Sequence, residues 1–212
     1  MRLKSGLLGL FALAAISGTA HANLLSNGSF EDLGGGSLSP GAWGLFDSIP
    51  SWTSDPQYRD IEVQAGTIIP AQDGLNYIEL ESDPGNSSYS VVSQTFTVTS
   101  AGDYLLSFFY APRTDQEGDN LVNASIDGNL LASPSGTRPP QGWTLMTALI
   151  TLGVGSHVLS FDAFGSFDNT LGGFVDNVDI SAVPLPPGLI LLGTGVAGIG
   201  YMGRRRRQKA TA

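Results

Sequence analysis

Apolar and polar side chains alternate along most of the sequence between residues 23 and 183, and this alternation limits the possible folds more than any other feature. In residues 90–98 it places Val92, Phe96 and Val98 on one side of an extended chain. A period of two is that of a β-strand with one buried face. No segment in this part of the sequence keeps the i, i+3, i+4, i+7 apolar spacing of an amphipathic helix. The sequence therefore predicts an all-β domain.

Strand-like segments recur at short intervals, separated by Gly, Pro, Asn and Asp. We expect strands at residues 24–30, 60–64, 77–81, 90–98, 103–110, 121–126, 130–131, 143–152, 157–163 and 174–182. Three short connections predict hairpins, which join 90–98 to 103–110, 121–126 to 130–131 through Asp127-Gly128-Asn129, and 143–152 to 157–163. This number of short strands favours an antiparallel β-sandwich, with the jelly roll as the leading topology.

The charge of this region limits its partners. All 19 acidic residues but only three of the 10 basic residues lie between residues 23 and 183, which gives a formal charge of −16. Phosphate binding needs clustered Lys and Arg, so no nucleic-acid partner is expected. A cation or a neutral polysaccharide fits this charge better. Cysteine is absent, so disulfides and thiolate metal sites are excluded.

Residues 1–22 have the features of a secretory signal peptide. Arg2 and Lys4 give a positive start, a short apolar stretch follows, and small residues precede the expected cleavage after Ala22. The sequence therefore predicts export, with the β-sandwich domain at residues 23–182.

Residues 183–212 combine a proline motif, an apolar run and a basic block. The motif of residues 183–187 precedes an uncharged run at 187–203, which is long enough for a short transmembrane helix. Residues 204–209 form a basic cytoplasmic tail, because arginines resist transfer across the membrane. The stop-transfer residues are Arg204, Arg205, Arg206 and Arg207. This order predicts a single-pass inner-membrane form with the β-sandwich outside the cytoplasm.

The order of motif, apolar run and arginine block resembles the PEP-CTERM sorting signal of Gram-negative bacteria, in its Val-Pro-Leu-Pro variant. The resemblance implies an exosortase, a membrane transpeptidase-like enzyme, as processing partner, and a final place at the cell surface or in an exopolysaccharide (biofilm) matrix. The processing motif would be Val183, Pro184, Leu185 and Pro186. Leu185 replaces the glutamate of the commonest motif and Pro187 replaces the variant's alanine, which leaves the exosortase subtype open.

Residues 23–32, with their Asn27-Gly28-Ser29-Phe30-Glu31, and residues 173–180, with their Asp176-Asn177-Val178, resemble the neighbouring first and last strands of galactose-binding-like jelly rolls, which occur in many secreted carbohydrate-binding modules. The resemblance implies a structural Ca²⁺ near these strands. Carried over, Glu31 and Asp176 would be its carboxylate ligands, with Asp32 and Asp168 as further candidates. The alternative is that these acids are solvated residues at strand ends.

A second acidic segment, residues 115–120, has acids at alternate positions around a glycine. It lacks the downstream glutamate and the length of an EF-hand loop, so we expect a solvated loop.

Aromatic side chains in polar surroundings are candidates for stacking against sugar rings. Trp52 and Tyr58 are the preferred ligand-binding residues, and Trp43 and Tyr89 are further candidates. For each tryptophan, packing in the core is the alternative.

No catalytic residue is predicted. The region after residue 22 contains one histidine, His157, and neither a Gly-Xaa-Ser-Xaa-Gly nor a His-Glu-Xaa-Xaa-His motif. We therefore expect a non-enzymatic, exported envelope or matrix protein with a carbohydrate-binding domain. A structural matrix protein without a sugar site and a polysaccharide-degrading enzyme are the alternatives.

Overall fold

The computed structural model describes residues 22–57, 60–81, 89–116, 118–137, 142–164 and 170–184. In these ranges all regular secondary structure is β, which confirms the all-β prediction. Within them, no helix is long and apolar enough to cross a membrane. The predicted signal peptide up to residue 21, the predicted transmembrane helix at 187–203 and the basic tail at 204–209 lie outside the described residues.

The described part of the chain forms twelve strands, numbered in chain order. They are β1 (Trp43–Phe46), β2 (Ser48–Ile49), β3 (Trp52–Ser54), β4 (Ile61–Gln64), β5 (Tyr77–Glu79), β6 (Tyr89–Val98), β7 (Gly102–Ala111), β8 (Asn123–Ile126), β9 (Asn129–Ala132), β10 (Thr144–Leu152), β11 (Gly155–Phe164) and β12 (Phe174–Ala182). The predicted last strand has the bounds of β12, and the short β1, β2 and β3 were not predicted.

The strands form two six-stranded antiparallel sheets. Sheet A has the order β1-β4-β5-β12-β7-β10, and sheet B has the order β2-β3-β6-β11-β8-β9. The chain alternates between the sheets from β5 to β8 and again from β9 to β12, so that β5-β12-β7-β10 faces β6-β11-β8-β9. This wrapping is that of a jelly roll, which confirms the predicted antiparallel β-sandwich.

Two of the three predicted hairpins are wrong, because their strands lie in different sheets. β6 pairs with β3 and β11, whereas β7 pairs with β10 and β12. The same separation holds for β10 and β11. A short polar connection between alternating segments serves equally well to arch from one sheet to the other, so the sequence does not distinguish the two cases.

The third predicted hairpin, between β8 and β9, is confirmed. Asp127 and Gly128 both have positive φ, 51° and 75°, as a two-residue type I′ turn requires.

Residues 24–30 do not form the predicted strand. Asn27 and Phe30 have φ values of 54° and 58°, which break the extended chain. The segment still lies beside β12, where the Leu24 amide donates to the Ile180 carbonyl at 2.9 Å. The first and last described segments are therefore neighbours, as the resemblance to galactose-binding-like jelly rolls implied.

The hydrophobic core lies between the sheets. The predicted inward-facing residues of β6 and β7 are buried, which confirms the alternation. They are Val92, Phe96, Val98, Tyr104, Leu106, Phe108 and Tyr110.

Candidate functional site

Four polar side chains are buried on the outer face of sheet A, which is the face opposite sheet B. Glu62 and Gln64 of β4 and Tyr77 and Glu79 of β5 alternate with core residues and therefore point away from the core. All four side chains are nevertheless buried. The connection between these strands, residues 66–76, folds back over this part of the sheet and packs on Tyr77 and beside Glu62 and Gln64, while Arg113 and the Gly172 backbone contact Glu79. We call residues 66–76 the covering loop.

Aromatic side chains hold the covering loop against the sheet. The hydroxyl oxygen of Tyr77 accepts the amide N–H groups of Ile68 and Ile69 at 3.2 and 3.3 Å. The indole N–H of Trp143 donates to the Pro70 carbonyl at 2.9 Å. Tyr77 in turn packs edge-on against Phe174, with 4.9 Å between the ring centroids.

Glu31 fixes the end of the covering loop. Its Oε1 atom accepts the amide N–H groups of Leu75 and Asn76 at 2.8 and 2.7 Å. A Cβ atom at Gly74 would lie 2.5 Å from the Glu31 carboxyl carbon, and Gly74 has a φ of 67°. Only glycine satisfies both conditions at this position.

Asp176 fixes the middle of the same loop from β12. Its Oδ2 atom accepts the amide N–H groups of Gln72 and Asp73 at 2.7 and 3.0 Å, and its Oδ1 atom accepts that of Asn177 at 2.6 Å. Burial raises the pKa of Asp176 to about 7, although the three amide donors oppose this rise. The structure thus brings the two predicted calcium ligands, Glu31 and Asp176, to one loop.

The calcium prediction itself remains a prediction. Among the described residues, no group of three or more His, Asp or Glu side chains converges closely enough to hold a metal ion. Asn76 Oδ1 is buried beside the Glu31 contact and accepts no hydrogen bond in the described structure. Together with the Glu31 and Asp176 carboxylates it gives oxygen ligands of the type that Ca²⁺ takes. The oxygen atoms of these three side chains are therefore of the type that binds Ca²⁺. The further candidate Asp32 is exposed, and Asp168 lies outside the described residues.

Two carboxyl groups meet beside the covering loop because Glu62 and Glu79 are directly opposite in the β4–β5 register. Gln64 bridges them, since its Nε2 atom donates to Glu62 Oε1 at 2.6 Å and to Glu79 Oε2 at 2.8 Å. Arg113 forms an ion pair with Glu79, which also accepts the Gly172 amide N–H at 3.1 Å. This is the acid pair of the site.

Burial raises the pKa of both members of the acid pair. For Glu79 the pKa rises to about 8, because desolvation and the neighbouring Glu62 carboxylate outweigh Arg113. For Glu62 desolvation raises the pKa against the hydrogen bonds and Arg113. Like charges this close do not both ionise readily, so the pair retains a proton near neutral pH.

A cavity of about 190 Å³ opens over the acid pair. We call it the acid-pair cavity; its lining residues are Trp43, Glu62, Gln64, Thr67, Ile68, Arg113 and Thr170. Trp43 lies at its rim with 55% of its surface exposed, directly across from Gln64 in the β1–β4 register. Gln64 is only 2% exposed, and its Oε1 atom accepts no hydrogen bond from any described residue.

The loop after β7 positions Arg113. The fully buried Asn120 accepts the Arg113 and Thr114 amide N–H groups through its Oδ1 atom at 2.7 and 2.9 Å. Asp119 is also fully buried and accepts the Thr114 hydroxyl at 2.7 Å. The prediction of a solvated loop at residues 115–120 is therefore wrong at its end, because these polar side chains fold inward to satisfy the loop backbone.

The prediction that Trp52 binds sugar is corrected by its burial. Trp52 is 0% exposed, its ring packs on Phe30 and Phe161, and its indole N–H donates to the Asn27 carbonyl at 2.9 Å. No face of the ring reaches solvent, so the core alternative holds. Tyr58, the second preferred residue, lies outside the described residues.

His157 does not belong to a catalytic triad in this structure. Its Nδ1 atom lies 2.6 Å from Asp127 Oδ2, and its Nε2 atom lies 2.9 Å from the Gly153 carbonyl oxygen. Both ring nitrogens are therefore engaged in joining the β8–β9 turn to the β10–β11 connection. The Asp127 contact raises the pKa of His157.

Comparison of the sequence with protein-family models and with curated proteins gives no match. Among solved structures, the chain is similar to a family 35 carbohydrate-binding module from Clostridium thermocellum, with 16% identity, a TM-score of 0.45, and coverage of 67% of this chain and 99% of that one. It is also similar to TmCBM61 in complex with β-1,4-galactotriose, with 17% identity, a TM-score of 0.47, and coverage of 76% and 99%. Similarities this low assign no function, so the site must be interpreted from its own residues.

Proposed function

We propose that the acid-pair cavity is a carbohydrate-binding site that takes one sugar unit of a polysaccharide. The observation that carries this proposal is the exposed ring of Trp43 directly beside buried hydrogen-bonding groups. Sugar rings pack their C–H faces on aromatic surfaces while neighbouring polar groups bind their hydroxyls. In this site Trp43 supplies the surface, and Gln64, Glu62 and Arg113 supply the polar contacts.

The cavity is built in advance of binding, which supports this function. Glu62, Gln64 and Glu79 lie on strands, and hydrogen bonds among them fix their orientation. The covering loop that forms one wall is tied down by Tyr77, Trp143 and the two carboxylates Glu31 and Asp176. A rigid site loses little conformational entropy when the ligand binds.

The geometry favours binding over hydrolysis. The carboxyl groups of Glu62 and Glu79 lie side by side, because both accept a hydrogen bond from the same atom, Gln64 Nε2. Glycosidases instead hold their two carboxyls about 5 Å or more apart, on either side of the scissile bond. We therefore propose a non-catalytic role.

A glycan array probed with the full-length protein, followed by titration calorimetry, tests the proposal. Trp43→Ala should weaken binding of any positive saccharide by about fivefold or more, because stacking on an aromatic ring contributes on the order of 1 kcal/mol or more. Tyr89→Ala is the matched control, since Tyr89 is also exposed but does not line the cavity. A protein that binds no glycan, or a Trp43 variant that binds as well as the wild type, would favour the structural matrix protein instead. Release of reducing ends would favour the enzyme.

We further propose that the domain reaches the envelope or exopolysaccharide matrix through the sorting signal at residues 183–212. The support is the order of its proline motif, apolar run and arginine block. Intact mass of the protein from the host's outer-surface fraction tests this. A mass that ends near Val183–Pro187 supports exosortase processing, whereas a mass that includes Arg204–Arg207 contradicts it and indicates a permanent membrane anchor.

A structural Ca²⁺ at Glu31 and Asp176 is proposed as a support for the covering loop. Asn76 Oδ1 and the two carboxylates are the groups that would hold it, and the ion would compensate their charge. Saturating Ca²⁺ should raise the melting temperature of the full-length protein, and a chelator should lower it. Asp176→Asn should remove the difference, while Asp179→Asn on the same strand should leave it unchanged. The absence of any shift in the wild type contradicts calcium binding.

A further inference from the structure

The acid-pair cavity lies against more negative than positive groups. Glu62 lines the cavity and the fully buried Glu79 lies behind it; the two face one guanidinium, that of Arg113, which is the only Lys or Arg side chain among the described residues. Arg113 already pairs with Glu79. With both carboxyls ionised the cavity therefore carries a net charge of −1, in a domain whose formal charge is itself strongly negative.

The cavity also has more hydrogen-bond acceptors than donors. Gln64 uses its Nε2 atom on the two carboxylates, which leaves its buried Oε1 atom without a donor among the described residues. In this orientation of the amide, Nε2 faces the two carboxyl groups and Oε1 is the end that is left unpaired. The hydroxyl of Thr67 donates to the Ala42 carbonyl at 2.7 Å, so towards the cavity it too is an acceptor.

We propose that the sugar bound in this cavity is an amino sugar with a free amino group, whose ammonium donates to Gln64 Oε1 and compensates the Glu62–Glu79 pair. This inference rests on the proposed carbohydrate site and specifies its ligand. An ammonium group supplies three donors and one positive charge, which are the two quantities that the cavity lacks. A hydroxyl supplies one donor and no charge, and a uronate or phosphate adds negative charge beside the acids.

On binding, the ammonium group of the sugar takes the place of the proton that the Glu62–Glu79 pair retains in the free site. In the free site the acid pair retains a proton near neutral pH, because burial disfavours two adjacent carboxylates. When the ligand's ammonium enters, its charge stabilises the fully ionised pair, so the retained proton leaves to solvent. No covalent bond forms or breaks in the sugar, and the amine stays protonated throughout. Binding therefore releases up to one proton per site.

Titration calorimetry of the full-length protein at pH 6 tests the ligand class. The probes are an oligomer of β-1,4-linked glucosamine, the same oligomer N-acetylated, and the corresponding glucose oligomer. We expect the glucosamine oligomer to bind at least tenfold more tightly than either neutral oligomer. Repeating the titration in two buffers of different ionisation enthalpy should show proton release for the glucosamine oligomer only.

Glu62→Gln separates the amine contact from sugar stacking. This variant keeps the side-chain shape, removes one negative charge, and should abolish both the tenfold preference and the proton release. Because Glu62 also contacts the sugar, this variant weakens the neutral oligomers too, and the readout is the ratio of the glucosamine affinity to the neutral-oligomer affinity within each variant. Trp43→Ala should weaken all three oligomers together. Asp47→Asn is the charge control, because Asp47 is an exposed acid outside the cavity.

The two proposals fail in different ways. Equal binding of all three oligomers, without proton release, overturns the amino-sugar inference and leaves the carbohydrate site intact. Failure of all three oligomers, together with a negative glycan array, overturns the carbohydrate site. A lysine oligomer that binds as tightly as the glucosamine oligomer and competes with it would also overturn the inference, since the cavity would then select a cationic peptide.

Discussion

The two halves of the outer face of sheet A have opposite surroundings, although both belong to one sheet with one alternation. On β4 and β5 the outward side chains are charged or polar and buried, because the covering loop lies over them. On β10 the outward side chains include Leu145 and Leu149, which are 54% and 65% exposed. Leu105 on the neighbouring β7 is 37% exposed. On this outer face the carboxyl groups are therefore buried and the leucines are exposed to solvent.

The difference shows that the direction of a side chain and its burial are separate properties. Alternation determines which face of a strand a residue occupies. Whether that face meets solvent depends on a loop that is held by contacts distant in sequence, such as Asp176 with Gln72 and Asp73. The covered half is the one that contains the candidate site, and burial raises the pKa of its two carboxyl groups, Glu62 and Glu79.

The largest expected difference between the halves is in packing. Tyr77→Ala should lower the free energy of unfolding by about 3–5 kcal/mol, because it removes a fully buried ring beneath the covering loop. Leu149→Ala, a similar truncation on the uncovered half, should cost less than about 1 kcal/mol. Urea denaturation of both variants gives the comparison. Equal losses would mean that the covering loop does not protect its half of the face.

Arg113→Met removes the one cation at the acid pair. It should lower the free energy of unfolding by about 3 kcal/mol at pH 9, because two buried carboxylates are then left uncompensated. At pH 5 Glu79, with its pKa of about 8, is protonated, and the loss should be smaller. Urea denaturation at the two pH values measures this difference. The double variant Arg113→Met with Glu79→Gln serves as the control and should recover most of the loss at pH 9. A loss independent of pH would show that Arg113 acts by packing alone.

Stability should fall as pH rises across the neutral range. The pKa of Glu79 is raised from its ordinary value of 4.5 to about 8. The stability that this shift contributes to the folded state is therefore complete below pH 4.5 and is lost as pH rises through about 8. One such proton gives a slope of at most about 1.4 kcal/mol per pH unit. Asp176, with its pKa raised to about 7, acts in the same direction. Glu79→Gln should flatten the profile, and Asp47→Asn should not.

The smallest effect is expected on the uncovered half. Leu149→Thr replaces an exposed leucine with another residue suited to strands, and the free energy of unfolding should change by no more than about 0.5 kcal/mol. A urea titration beside the wild type is sufficient. A loss above about 1 kcal/mol would show that something covers this half in solution, and the contrast between the halves would then disappear.

The sequence predicted the strands and the sandwich because alternation is a local property. β6, β7 and β12 were found from their own residues, and the β8–β9 hairpin was found from Asp127-Gly128. Partners in the sheets could not be found in this way. An arch between sheets has the same local chemistry as a hairpin, so β7 was wrongly placed beside β6.

The candidate site was only partly predictable. Glu31 and Asp176 were selected by resemblance, and the structure joins both to the covering loop. The acid pair was missed, although charged residues inside the apolar strands Ile61–Gln64 and Tyr77–Glu79 gave a signal. Their pairing depends on a β4–β5 register that no local pattern specifies. Trp52 was misjudged because its polar neighbours, Ser51 and Thr53, face away from the core that receives its ring.

The course of β12 determines how the site would be presented. This strand begins at Phe174, beside the acid pair, and ends at Ala182, two residues before the end of the described chain. At about 3.3 Å per residue the strand spans about 26 Å. β7 pairs with it along most of that length, and β5 pairs with its first two residues. If the residues after Pro184 anchor the protein, the cavity would therefore lie about one strand length away from the anchored end. At that distance it would be accessible to polymers that are too large to approach the anchoring surface.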